Sequence, residues 1–80
     1  MGRELLKRVR NFDKLIKYCK YLSNFKSPLS EILRKVLGNY DREDCWRYAH
    51  VYPTPYGGRI VYMIDDTPLV IHLKDADEEN

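Results

Sequence analysis

The apolar positions of this chain change rhythm halfway along. Leu5, Val9, Phe12, Ile16 and Cys19 recur at spacings of four and three, with Leu6, Leu15 and Leu22 widening the stripe. That is one face of an α-helix, and the spacing predicts a long amphipathic helix over about residues 3–24. Lys7, Arg10, Lys14 and Lys17 keep the same rhythm on another face. Asn24-Phe25-Lys26 reads as a short connection, and Ser27-Pro28 has the form of a helix start, because serine caps and proline fits a first turn. Leu29, Ile32, Leu33, Val36 and Leu37 give the second helix, about 28–37, its apolar face, and Gly38 is placed to end it. So short a link predicts an antiparallel helical hairpin.

From Cys45 the period becomes two. Trp46, Tyr48, His50 and Tyr52 alternate with Cys45, Arg47, Ala49 and Val51, which predicts a strand over about 45–52 beyond the charged junction NYDRED. Two prolines and two glycines in Pro53-Thr54-Pro55-Tyr56-Gly57-Gly58 interrupt it. A second strand, about 59–65, alternates Ile60, Tyr62 and Ile64 with Val61 and Met63, and Asp65-Asp66-Thr67-Pro68 reads as a turn. The aliphatic run Leu69 to Leu73 is the third strand, about 69–73, and an acidic tail follows over 75–80. The expected fold is one α+β domain over residues 1–80 in the order α-α-β-β-β, a helical hairpin on a three-stranded antiparallel meander. Three strands leave two open edges, where a partner strand or a homodimer could pair.

Charge sharpens this picture more than composition does. The net charge of +2 conceals a division: residues 1–38 carry ten Lys or Arg against three carboxylates, for +7, and residues 39–80 carry four against nine, for −5. One half is suited to a polyanion, or to the other half or a second chain. No apolar run approaches the roughly 20 residues that span a bilayer, and MGRELLKRVR has no apolar segment of a secretory signal. A cytoplasmic protein without a membrane partner is the expectation. Two cysteines, Cys19 and Cys45, are too few and too far apart for a zinc pattern. They read as small apolar residues, with a disulfide between them as the alternative.

The candidate chemistry is sparse. His50 and His72 are the only histidines, and with Arg59 they offer acid–base and phosphate-stabilising groups for RNA cleavage. Their structural alternative is to be satisfied within the sheet. Arg59 opens a strand directly after Gly57-Gly58, where the backbone can approach a ligand closely and a guanidinium can grip phosphate through two N–H groups. Its alternative is an ion pair with Asp65, Asp66 or the 41–44 cluster. Among seven tyrosines, Tyr48, Tyr52, Tyr56 and Tyr62 lie on or beside the sheet, where they can stack bases or pack, with Tyr56 the exposed one. Lys7, Arg10, Lys14 and Lys17 can track a phosphate backbone or form a solvated face. No P-loop, Rossmann fingerprint, serine elbow or metal-ligand cluster is present, so no cofactor and no metal is called for.

The runs DCWR and GRIVYMIDDTPLVIHL, about residues 44–73, resemble the RelE/ParE superfamily of toxin–antitoxin ribonucleases, and the pair of helices before them fits the same architecture. The resemblance implies a RelE-like domain acting on RNA, free or on the ribosome, as a metal-independent endoribonuclease. It matches Arg47 to a basic residue after an aromatic and Arg59 to the arginine of the middle strand, both stabilising charge on phosphate during attack by the 2′-hydroxyl. An antitoxin peptide would lie on the sheet or fill its open edge. The chain departs from the family at Gly58 and Ala49, at Lys74 followed by DADEEN, and in lacking the usual first strand. These departures keep a second expectation beside the first: a non-catalytic module that binds nucleic acid or an acidic protein through the basic face of helix one.

Overall fold

Asn11 divides what the periodicity reads as one helix. Its backbone is extended (φ −97°, ψ 141°). Its side-chain oxygen accepts hydrogen bonds from the N–H groups of Asp13 (2.9 Å) and Lys14 (3.3 Å). Asparagine offers the backbone this local bond in place of a continuing helix, so it caps a new one. The Phe12 N–H, another donor without a partner in its own helix, is met by Asp41 Oδ1 at 2.6 Å. The result is two short helices, α1 (Gly2–Val9) and α2 (Phe12–Tyr18).

The computed structural model describes residues 2–75. After α2 come β1 (Cys19–Ser23), α3 (Leu29–Ile32) continuing into a π-helical turn (Leu33–Leu37), α4 (Glu43–Arg47), β2 (His50–Thr54), β3 (Gly57–Ile64) and β4 (Thr67–Leu73). The fold is α+β, but its antiparallel sheet has four strands, in the order β1-β4-β3-β2. Of the acidic tail, residues 76–80 lie outside the described residues.

Two expectations are corrected. Residues 19–23 are a strand, not the end of a helix. Leu22 satisfies both periods, and the open edge of β4 decides between them: Tyr21 pairs with His72, Leu22 with Ile71 and Ser23 with Val70, with a bulge between Cys19 and Tyr21. Lys74 N–H donates to the Tyr18 carbonyl at 2.8 Å, extending the seam. With β1 between them, the helices do not form a hairpin. Residues 45–49, in turn, do not begin the next strand. Cys45 and Trp46 lie on α4, where the indole N–H donates to the Tyr40 carbonyl at 3.0 Å, and the strand begins only at His50. The alternation Trp46-Tyr48-His50-Tyr52 imitates a strand that the first half of the segment does not form.

One face of the sheet holds the core. Leu22, Ile60, Tyr62, Leu69, Ile71 and Leu73 meet Leu5, Val9 and Leu15 from α1 and α2, Ile32 and Leu33 from α3 and its continuation, and Tyr40. Both connections in the β2–β3–β4 part are two-residue turns. Thr54 pairs with Gly57 across Pro55-Tyr56, and Ile64 with Thr67 across Asp65-Asp66. Asp65 and Asp66 both have positive φ (46° and 66°), as a type I′ turn requires. Among the described residues, no helix is long and apolar enough to cross a membrane.

Candidate nucleic-acid interface

Strand alternation sends every second side chain away from the core. On β3 these are Arg59, Val61 and Met63, on β4 Pro68, Val70 and His72, and all are exposed or half-buried. The register then aligns Tyr21 with His72, His72 with Arg59, and Arg59 with Tyr52. One row of planar side chains therefore crosses all four strands on the open face. Tyr21 and His72 are stacked, ring centres 4.1 Å apart and 15° from parallel. The guanidinium carbon of Arg59 lies 5.0 Å from the centre of the Tyr52 ring, within range of cation–π attraction.

His72 is further held by a 2.8 Å hydrogen bond between its Nε2 and the Ser23 hydroxyl. Burial, and then the positive charge of Arg59, hold its imidazole below the ordinary histidine value. The ring is thus neutral near neutral pH, the form that accepts a proton. Arg59, His72, Tyr21, Lys20, Thr54, Tyr56, Gly58 and Leu73 line an open hollow of about 230 Å³, with Tyr56 the most exposed of the large hydrophobic residues among those described, at 83%. Arg59 does not pair with Asp65 or Asp66, which sit at the far end of the β3–β4 hairpin, roughly 20 Å along the strand. Among the described residues no carboxylate is within ion-pair distance of it.

The other sequence-predicted residues are distributed differently. His50 lies on the open face opposite Val61, one row from Arg59, its ring 6.4 Å from Tyr52. Arg47 is on α4, 3.7 Å from Asp44, and lines a separate groove of about 580 Å³ with Tyr48, His50 and Met63. It does not converge with Arg59. The basic row of helix one is split at Asn11. Lys7, Arg10 and Lys14 surround a shallow depression with Asn11 and Asp41, Arg10 is bound to Glu43 at 2.8 Å, and Lys17 lies 5.4 Å from the Tyr18 ring centre. Asp41 and Glu43 thereby meet part of the basic half, as the charge division allows.

Gly57 and Gly58 serve packing. A side chain on Gly57, whose φ is +113°, would meet the Leu73 carbonyl oxygen at 2.6 Å, and one on Gly58 would meet Leu5 of α1 at 2.6 Å. The backbone they bring close is the protein's own. Cys19 and Cys45 are free thiols, each pushed up by burial and so less readily ionised. Sequence reasoning missed Tyr21, Ser23 and Lys20, because they were assigned to a helix. The available signal was slight, since the bulge between Cys19 and Tyr21 breaks the alternation of Cys19–Ser23, and only Asn24, in a left-handed conformation (φ 73°), marks where the segment ends. In comparisons with known proteins, no family model, curated protein or solved structure matches the chain.

Proposed function

We propose that the protein acts on single-stranded RNA at the open face of its sheet, as a divergent RelE-like, metal-independent endoribonuclease of the cytoplasm. The observation that carries this reading is the direct cross-strand opposition of Arg59 and His72 within a row flanked by Tyr21 and Tyr52. A cation for the phosphate stands beside a neutral imidazole, and aromatic rings at either end can stack unpaired bases. Duplex RNA hides those base faces, so the substrate is single-stranded. The strand motif GRIVYMIDDTPLVIHL supports the RelE-like assignment and gives Arg59 the phosphate-stabilising role. Arg47 and His50 belong to the neighbouring groove and contact RNA beyond the cleaved bond, and Tyr56 borders the hollow around Arg59. The edges now available to an antitoxin strand are β1 and β2.

A binding module working through helix one is the weaker reading, because its basic row is divided and Arg10 is engaged by Glu43. The decisive experiment is a cleavage assay on free and ribosome-bound mRNA, comparing the wild type with Arg59→Ala. Cleavage by the wild type and loss in the variant are expected. Equal cleavage by both removes Arg59 from the mechanism, and no cleavage by either sinks the enzyme reading.

A further inference from the structure

Ser23 and His72 sit diagonally across the β1–β4 ladder: Ser23 is in register with Val70, two residues from His72. Diagonal neighbours on an antiparallel pair are within reach of polar side chains, and here the Ser23 Oγ to His72 Nε2 distance is 2.8 Å. The Tyr21 ring fixes the plane of the imidazole by stacking at 4.1 Å. The hydroxyl fixes its rotation within that plane. Together these contacts determine which ring nitrogen is engaged by protein and which is left for chemistry.

We infer that Ser23 is a positioning residue of the RNA site, holding His72 through Nε2 so that Nδ1 is the nitrogen that takes the proton of the RNA 2′-hydroxyl. The inference rests on the RNA-cleaving reading above. For Nδ1 to accept, the neutral ring must carry its hydrogen on Nε2, and Nε2–H then donates to Ser23 Oγ. The serine oxygen has lone pairs for that bond, and its own hydrogen remains free to rotate. In the step, the 2′-oxygen loses its proton to Nδ1 and forms a bond to phosphorus as the bond from phosphorus to the 5′-oxygen breaks. Arg59 faces the phosphate oxygens that gather charge. The imidazolium returns its proton, through water, to the departing 5′-oxygen, leaving a 2′,3′-cyclic phosphate and a 5′-hydroxyl. No oxidant, metal or second reactant enters the balance. Among the described residues, the other ionisable groups that share the hollow with His72 are Arg59 on β3, Tyr21 and Lys20 on β1, and Tyr56 of the β2–β3 turn.

Two measurements on the full chain test this. The first is nitrogen-15 NMR of the histidine ring without RNA, at neutral pH, on wild type, Ser23→Ala and Ser23→Thr. The wild type should show His72 with its hydrogen on Nε2. Ser23→Ala should show a mixture of tautomers, and Ser23→Thr, which keeps a hydroxyl, should restore the single form. The second is the pH profile of RNA cleavage by the same proteins, with circular dichroism confirming their fold. Ser23→Ala should lower kcat about 10- to 100-fold, less than the roughly 100- to 10,000-fold that acid–base catalysis contributes, because the imidazole itself stays in place, with little change in KM and with rescue by Ser23→Thr. A tautomer ratio and a pH profile unchanged in Ser23→Ala overturn the role of Ser23, whatever the wild type does to RNA. A wild type that cleaves no RNA overturns the proton transfer even where the tautomer is held, and that failure belongs to the RNA reading itself.

Discussion

The guanidinium of Arg59 is seated over the ring of Tyr52, its central carbon 5.0 Å from the ring centre. Tyr52 is its cross-strand partner, so the sheet register itself brings the two together. A guanidinium has five N–H donors, so one held over a ring still has donors to offer a phosphate. Replacing Tyr52 with leucine removes both the cation–π contact and a ring for base stacking, and should weaken binding of a short single-stranded RNA at least about fivefold, the equivalent of about 1 kcal/mol, the lower end for a stacked base. Tyr52→Phe should bind as the wild type does. Fluorescence anisotropy at one fixed salt concentration measures both.

Asn11 should prove costly to replace despite its exposure. Asn11→Ala removes the acceptor for the N–H groups of Asp13 and Lys14 and should destabilise the fold by about 1 kcal/mol. Asn11→Asp keeps the acceptor and should restore most of that loss. Urea unfolding followed by circular dichroism gives the comparison.

The two adjacent glycines should differ in their tolerance of alanine. At Gly57 the left-handed backbone and the Leu73 carbonyl both oppose a side chain, and neither can yield cheaply. Gly57→Ala should cost about 1–3 kcal/mol, typical of a strained backbone position. At Gly58 the neighbour is the end of the Leu5 side chain, which can change rotamer, so Gly58→Ala should cost less. Thermal unfolding of the two variants ranks them.

Tyr40 and Tyr62 make the protein sensitive to alkali. Burial, with each hydroxyl's ionisable neighbours as the lesser cause, pushes both phenols well above the ordinary tyrosine value. In the unfolded chain they ionise near pH 10. The folded state therefore binds the protons more tightly, and stability is fully present below pH 10 and lost as the pH rises beyond it. Ultraviolet titration should show these two of the seven tyrosines ionising only as the fold is lost. The Tyr40 hydroxyl is buried beside Tyr62 and makes no hydrogen bond of good geometry, so Tyr40→Phe should change stability at neutral pH by about 1 kcal/mol at most and move the alkaline transition upward.

The second half of the chain was the more legible in sequence. Alternation in Gly57–Ile64 and Leu69–Leu73 placed β3 and β4 within two residues of their ends and put Arg59 and His72 on adjacent strands. The first half was read less well, for two separate reasons. At Asn11 a side chain competes with the helix for backbone donors, which apolar spacing does not record. At Cys19–Ser23 the stripe admits a helix, and the deciding partner, β4, lies some fifty residues away in sequence. The same error hid Tyr21 and Ser23 from the candidate site. Arg47 was misplaced by a short helix, α4, whose aromatic spacing reads as a strand.

The central place of β4 between β1 and β3 also governs how the chain comes to be folded. β1 is made early, but among the described residues its only hydrogen-bonding neighbour in the sheet is β4, some fifty residues further along the chain. Until Thr67–Leu73 has emerged, β1 and the β2–β3 hairpin have nothing to join them, and the core they share has no floor. Such sequence-distant pairing is slow to find its partner. The sheet can therefore close only once β4 has been made, and the open face becomes whole in one step, when β4 takes its place between β1 and β3.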